Sequence, residues 1–290
     1  MADFMITCPA CAGFLNSDAL RENIKAIPYN YMLDGVIYKY GGEINAPEVF
    51  KKIKKGLLPD VAPISVPEYS GFFTEILNSG KNILHIDFSE SYSPNYKYAE
   101  EAAEGLLKNF PERKIKIIDS ARLGLGIFAL AKKACDLLKS GKTFDESASS
   151  VETLSKNNTD LLVARDLLYL KEKKYISALQ KKSGSMKLTE IILAFTDRGV
   201  LKPILKTKHH SGVDIVDKEM HDKPGFAPRN CFVGCECNSA GIKSSANYLY
   251  ESESSIINAV NPENIQQPDI STISKVGLNS FEILCFNELS

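Results

Sequence analysis

The chain of 290 residues is 44% hydrophobic and 24% charged, which is enough apolar material for two compact domains and excludes a disordered chain. Its formal net charge of −1 gives no basic face of the kind that nucleic-acid binding requires, so we expect no nucleic-acid partner. Because the sequence has no apolar run near the roughly 18 residues of a membrane span and no signal peptide, we expect a cytoplasmic protein without stable membrane insertion.

Strand and helix patterns alternate over residues 1–158. Short apolar runs indicate strands, and capping residues followed by periodic apolar positions indicate helices. In chain order the predicted elements are a strand at 4–7, helices at 18–24, 45–57 and 65–77, a strand at 83–88, a helix at 95–109, a strand at 115–118, and helices at 121–140 and 145–155. Since helix-length connections join successive strands, this half predicts a mainly parallel sheet flanked by helices.

The pattern changes after a polar stretch at 156–159. The predicted elements are then a strand at 161–164, a helix at 166–174, a hairpin of 191–195 and 200–205 around the turn 196–199, a helix around 242–260, and strands at 231–237, 270–273 and 280–286. This order predicts a second domain with a mixed α/β sheet. The fold class is therefore α/β with two domains, residues 1–158 and 159–290.

Residues 83–96 carry the strongest functional signal. An apolar strand, Ile-Leu-His-Ile-Asp-Phe, opens into the hydroxyl-rich loop Ser-Glu-Ser-Tyr-Ser-Pro-Asn-Tyr at 89–96. Ser93 before Pro94 reads as a helix N-cap followed by a proline at the first helical position. The unpaired N–H groups of a helix start favour an anion there, although a simple cap would give the same pattern.

The cysteines form two groups, Cys8 with Cys11 and Cys231 with Cys235 and Cys237. Such groups could hold zinc or an iron–sulfur cluster, and Cys8 with Cys11 could form a redox pair at a strand-to-helix turn. However, strand alternation places the second group on one face as small buried residues. We predict reduced cysteines that form core or pocket wall, with no metal and no cofactor.

Four segments in order resemble the DegV family of bacterial lipid-binding proteins. The serine loop is similar to the family pattern Ser-Ser-x-x-Ser-Gly-Thr-Tyr. The other segments are Leu58-Pro59 with Ile64-Ser65 and Glu68-Tyr69, Ile118-Asp119-Ser120, and Asp166-Leu167-x-Tyr169-Leu170-Lys171 with Ile176-Ser177. The resemblance spans most of the chain.

This resemblance implies a non-catalytic protein with a long-chain fatty acid buried between two α/β domains. Some family members carry the acyl chain for a separate fatty acid kinase subunit, so that subunit is a candidate partner. The ligand-binding residues that the resemblance implies are Ser93, Asn95 and Tyr96 in the serine loop, Val61 and Ala62 in the loop opposite, Cys8 at the first strand end, and Tyr175 in the second domain. Gly126, on the long apolar helix, would let the hydrocarbon tail approach closely.

The chain departs from the family pattern at three head-group positions. Asp60 stands where a hydroxyl residue would help to bind an anion, and two carboxylates facing each other are unfavourable. Tyr175 replaces an arginine, and Lys275 is a possible substitute for a histidine. An alternative from another class is a thiol-dependent or small-molecule-converting enzyme that uses Cys8 at the domain cleft.

Overall fold

The computed structural model describes residues 3–10, 22–40, 51–53, 55–57, 59–174, 189–208, 211–223, 226–235, 259–266, 269–277 and 280–287. The strands in these ranges are β1 Phe4–Pro9, β2 Ile24–Ile27, β3 Tyr29–Leu33, β4 Val36–Tyr40, β5 Asp60–Val61, β6 Asn82–Asp87, β7 Ile115–Asp119, β8 Asn158–Ala164, β9 Thr189–Phe195, β10 Leu201–Lys208, β11 Cys231–Cys235, β12 Ile265–Gln266 and β13 Phe281–Phe286. The principal helices there are α1 Val66–Asn78, α2 Asn95–Leu107, α3 Gly124–Lys139, α4 Phe144–Lys156, α5 Leu167–Glu172, α6 Gly212–His221 and α7 Ile270–Val276.

Sheet A is parallel and has the strand order β2–β1–β6–β7. Helices α1 and α2 contact one another and the sheet, and so do α3 and α4. The central strand β6 buries five of its six residues, as expected when helices cover both faces. The predicted parallel sheet flanked by helices is confirmed.

Sheet C is mixed and has the strand order β10–β9–β8–β13–β11–β12. All pairings are antiparallel except β11 with β12. The predicted hairpin is present, and its turn is closed by the Thr196 N–H, which donates to the Val200 carbonyl oxygen at 2.9 Å. The predicted mixed second sheet is therefore confirmed, whereas the boundary at residue 158 remains a prediction.

Strands β3 and β4 form a hairpin that is absent from the predicted elements. Their connection is Asp34-Gly35, and both residues have positive φ, 58° and 72°, as a type I′ turn requires. Strand β5 pairs with the other edge of β3, so these three strands form a small antiparallel sheet B. Sheet B fixes the position of the loop that follows β5.

Two predicted elements are wrong where the structure describes them. Ile24 begins strand β2 rather than ending the helix predicted at 18–24, and residues 18–21 of that prediction lie outside the described residues. The predicted strand at 270–273 is the start of helix α7, because the Asp269 side chain caps it by accepting the Thr272 N–H at 3.0 Å. Most of the helices predicted at 45–57 and 242–260 lies outside the described residues.

Helix α3 lies inside the molecule. Its first eight residues are all buried, and the six of them that are not glycine belong to one apolar cluster that also contains Ile6 and Ile86 of sheet A and Phe232 and Leu284 of sheet C. A helix that is apolar on every side must be covered on every side. Within the described residues, no helix is long and apolar enough to cross a membrane.

Cys231 and Cys285 form a disulfide between facing positions of β11 and β13. This pair corrects the expectation that the cysteines are reduced. Cys8 and Cys135 are free and buried and Cys235 is buried, while Cys11 and Cys237 lie outside the described residues. The described part of the chain contains no group of three or more His, Cys, Asp or Glu side chains that could hold a metal.

Candidate functional site

The serine loop runs from the end of β6 to the start of α2. The helix begins at Asn95, and Pro94 rather than the predicted Ser93 occupies the capping position. The Ser93 hydroxyl accepts the Asn95 N–H at 3.3 Å, so it still lies at the helix start. Ser93 is half-buried, which leaves its hydroxyl close to the surface beside the positive end of the α2 dipole.

Other hydroxyls of the serine loop bind the turn between β9 and β10. Three hydrogen bonds make this contact: Ser89 Oγ donates to the Gly199 carbonyl oxygen at 3.1 Å, Ser91 Oγ donates to the Arg198 carbonyl oxygen at 2.7 Å, and the Leu201 N–H donates to the Tyr92 hydroxyl at 2.6 Å. The turn between β9 and β10 of sheet C thus holds the serine loop, which follows β6 of sheet A, in place. These hydroxyls serve a structural role, and Ser93 does not take part in this contact.

The opposite loop comprises Val61, at the end of β5, and Ala62 directly after it. Val61 pairs with Tyr31, and the Ala62 N–H donates to the Asn30 carbonyl oxygen at 2.9 Å, so sheet B holds this loop. Asn95 is buried, and its Oδ1 accepts the Ile64 N–H at 3.0 Å. Asn95 therefore joins the two predicted head-group loops, and its amide nitrogen is the atom that could donate to a ligand.

Lys275 supplies a cation beside these loops. Its Nζ lies 5.1 Å from the centre of the Tyr92 ring, which belongs to the serine loop. Burial lowers the pKa of Lys275 and the charge of Lys173 lowers it further, while Asp60 opposes both effects. Lys275, Lys173 and Asp60 are therefore electrostatic neighbours, and the predicted substitute cation does face the predicted acidic departure.

Tyr96 is engaged within its own helix. Its hydroxyl donates to Glu100 Oε1 at 2.6 Å, and burial together with this acceptor raises the pKa of Tyr96. A ligand would have to compete with Glu100 for that proton. Tyr175 lies outside the described residues, so its predicted role stays a prediction.

Cys8 is fully buried in β1. Burial raises the pKa of its thiol well above the usual value, and the charge of Asp87 raises it further. A thiol that does not ionise is a poor nucleophile and a poor metal ligand. The structure is therefore compatible with the predicted wall or core role of Cys8 and gives no support to the thiol-enzyme alternative.

Beside Cys8 lies a buried polar network that the sequence pattern does not predict. His85 Nδ1 lies 2.9 Å from Thr7 Oγ1, and His85 Nε2 lies 2.8 Å from Asp87 Oδ2. The Tyr69 hydroxyl also donates to Asp87 Oδ2, at 2.5 Å. The only sequence signal is the spacing of His85 and Asp87, which places both on one face of β6.

Gly126 lies in the first turn of α3. A Cβ atom at this position would lie 2.2 Å from Arg122 Cβ and 3.5 Å from a methyl group of Leu284. The glycine therefore permits contact between α3, its preceding loop and sheet C. Its predicted contact with a hydrocarbon tail stays a prediction, and a leucine there would also disturb this packing.

Comparison with known proteins decides the family. A family profile described as "uncharacterised protein, DegV family" matches residues 6–224. This chain belongs to the DegV family. The DegV domain-containing protein CPE0026 of Clostridium perfringens is 27% identical over 199 residues, which cover 66% of this chain and 68% of that protein.

Solved DegV structures share the fold along the whole chain. A stearic acid-binding protein from Eubacterium ventriosum has a TM-score of 0.81 at 18% identity, covering 99% of each chain. A DegV protein of Eubacterium eligens loaded with heptadecanoic acid has a TM-score of 0.78 at 13% identity, covering 98% of this chain and 100% of that one. The Fatty Acid Kinase B3 protein of Streptococcus pneumoniae, loaded with linoleic acid, has a TM-score of 0.78 at 16% identity, covering 99% and 100%.

Proposed function

We propose that this DegV protein binds a long-chain fatty acid between its two sheets and presents the carboxylate at the serine loop. The observation that carries this proposal is the position of Ser93. Its hydroxyl lies at the start of α2, in a loop that hydrogen bonds to the second sheet hold in place, with Lys275 alongside. Relatives of the same fold that contain fatty acids support the choice of ligand.

The head group needs few contacts in this scheme. The Ser93 hydroxyl and the first N–H groups of α2 would donate to the carboxylate, and Lys275 would neutralise its charge. Asp60 weakens this site, because it attracts the same lysine and repels the ligand. We infer a weaker hold on the ionised carboxylate than a site with a hydroxyl at position 60 would give.

The hydrocarbon tail supplies most of the affinity. Each buried methylene contributes about 0.8 kcal/mol, so a long chain needs only an apolar environment. The cluster around α3 offers one, since Leu125, Ile127 and Phe128 join residues of both sheets. We therefore place the tail beside α3, within reach of Gly126.

The protein itself performs no reaction in this proposal. A fatty acid kinase subunit is the partner that would use a presented carboxylate, and that subunit would hold the ATP and magnesium. The buried Cys8 thiol gives no reason to assign catalysis to this chain.

Calorimetric titration of lipid-free protein tests the proposal. We expect tight binding of an 18-carbon fatty acid and a loss of about 0.8 kcal/mol for each methylene removed from the chain. The matching 18-carbon alcohol should bind more weakly, because it cannot use Lys275. Equal binding of acid and alcohol would contradict the head-group site, and no binding of either would contradict the proposed function.

A further inference from the structure

Two buried carboxylates face one cation where sheet C meets the start of α3. Asp160 on β8 is 3% exposed and Glu282 on β13 is 2% exposed. The register pairs Asp160 with Leu284 and Glu282 with Leu162, so both acids project from the same face of neighbouring strands. Arg122, in the loop before α3, is 4% exposed, and its Nε lies 3.4 Å from Asp160 Oδ2.

The carboxylates lack hydrogen-bond donors. If both groups are ionised, none of the four carboxylate oxygens of Asp160 and Glu282 has a hydrogen-bond donor within the described part of the chain. The Arg122 guanidinium instead donates to Asn158 Oδ1 at 3.0 Å and to the Ala121 carbonyl oxygen at 2.8 Å. Two buried anions beside one cation leave an uncompensated charge, which the interior strongly disfavours.

The surrounding charges do not remove this imbalance. Within the described residues, the other charged groups that act on Arg122 and Glu282 are acidic: Asp269 at the start of α7, Asp197 in the β9–β10 turn and Asp119 at the end of β7. Asp269 already accepts hydrogen bonds from Ser271 Oγ at 2.6 Å and from the Thr272 N–H at 3.0 Å. The facing strand β11 contributes Gly234, which carries no charge.

One proton removes both the uncompensated charge and the lack of a hydrogen-bond donor. A proton on Glu282 makes the sum of the charges on Arg122, Asp160 and Glu282 zero, and it gives Asp160 the missing donor. Burial raises the pKa of both acids, and the charge of Asp160 raises the pKa of Glu282 further, so Glu282 is the residue that keeps the proton.

The cluster is mechanically connected to the serine loop. The Arg122 carbonyl oxygen accepts the Ser89 N–H at 2.9 Å, and the Arg122 guanidinium lies 5.2 Å from the centre of the Phe195 ring. Phe195 ends β9, directly before the turn whose Gly199 binds Ser89. A displacement of Arg122 would therefore reach both partners of the loop contact.

We propose that Asp160 and Glu282 share one proton at neutral pH, that this proton holds sheet C against α3, and that its loss opens the contact and releases the ligand. Without the proton, Glu282 repels Asp160 within sheet C and Asp269 on the α3 side of the interface. The proton site is independent of the ligand's identity, and only the release step rests on the proposed function.

Infrared spectroscopy tests the proton directly. At about pH 7, where ordinary carboxyl groups are ionised, the native protein should show the absorption of a protonated carboxyl group. That absorption should be lost in Glu282→Gln and retained in Glu190→Gln. Glu190 is equally buried on the neighbouring strand β9, but it has donors in Arg165 at 2.7 Å and in the Gly212 N–H at 2.8 Å.

The dissociation rate of cis-parinaric acid, a fluorescent 18-carbon fatty acid, tests the coupling to the ligand. When the pH is raised from about 6 to about 9, the dissociation rate of this probe from the native protein and from Glu190→Gln should rise roughly 5-fold or more. Release from Glu282→Gln should change little, because the amide stays neutral and can still donate to Asp160. Ionisation of the probe itself is common to all three proteins.

The outcomes separate the two proposals. Absence of the protonated-carboxyl absorption in the native protein, or an equal pH effect in Glu282→Gln, overturns the shared-proton proposal. The absorption without any binding of the probe supports the proton site and overturns the proposed function. If Glu282→Gln does not fold, Asp160→Asn replaces it, since it also removes one of the two charges and should also abolish the pH effect.

Discussion

The Ser93 hydroxyl lies where a carboxylate would meet the start of α2. Ser93→Ala removes this donor while the α2 backbone N–H groups remain. We expect fatty acid binding to weaken by about 1–3 kcal/mol, because the ligand carboxylate, a charged acceptor, loses the hydrogen bond that the Ser93 hydroxyl donates. Calorimetric titration with one long-chain acid measures the loss.

Ser91→Ala is the matched control for this prediction. It removes a hydroxyl two residues away that donates to the Arg198 carbonyl oxygen and not to the helix start. We expect a smaller effect on affinity than for Ser93→Ala. Equal losses in the two variants would show that the loop position, rather than the Ser93 hydroxyl, controls binding.

Asp60 offers a second test at the scale of one residue. Asp60→Thr should tighten the binding of fatty acids at neutral pH, because it removes a like charge and frees Lys275 from a competing partner. Lys275→Met should weaken binding by removing the cation. The same titration compares both variants, and weaker binding by Asp60→Thr would place the carboxylate elsewhere.

The turn between β9 and β10 is the structural element that holds the serine loop. Gly199 has a φ of +70°, and a Cβ atom there would lie 2.2 Å from Ser89 Oγ. Gly199→Ala should therefore lower the free energy of unfolding and displace the serine loop. Urea unfolding measures the first effect, and fatty acid affinity measures the second.

Gly141→Ala separates backbone strain from steric contact. Gly141 has a similar φ of +81°, but nothing lies within 4 Å of its added Cβ atom. We expect this control to cost about 1 kcal/mol from the left-handed backbone alone and to leave affinity unchanged. A Gly199→Ala variant no less stable than this control would contradict the assigned loop contact.

Elements with strong local signals were predictable. The strand at 83–88 and the helix after Ser65 follow from an apolar run and from a capping residue with proline. The Asp34-Gly35 hairpin also has a local signal, the dipeptide typical of a type I′ turn. Helix α7 was missed because its short apolar pattern fits a strand as well as a helix, and only the Asp269 cap decides between them.

At the scale of the whole molecule, the site depends on contacts that no local pattern contains. Ser89 and Gly199 are 110 residues apart, and the Arg122–Asp160 pair joins a loop of the first sheet to a strand of the second. The family resemblance predicts that Ser93 and Asn95 bind the ligand. It could not show that Asn95 bridges two loops or that the other loop hydroxyls bind a neighbouring turn.

Ligand removal should destabilise the whole molecule. A fatty acid that binds only the folded state raises the free energy of unfolding by RT ln(1 + [L]/Kd), about 2.7 kcal/mol when the free ligand is 100 times its Kd. We therefore expect delipidated protein to melt at a lower temperature and to recover when an 18-carbon acid is added back. An identical melting curve before and after delipidation would argue against a buried ligand.

Mass spectrometry of organic extracts from the purified protein tests the central claim most directly. The extract of the native protein should contain long-chain fatty acid in an amount close to one molecule per chain, and the extract of Ser93→Ala should contain less. Protein whose melting curve shows an intact fold but whose extract contains no long-chain acid, even after incubation with an 18-carbon acid, would contradict the account.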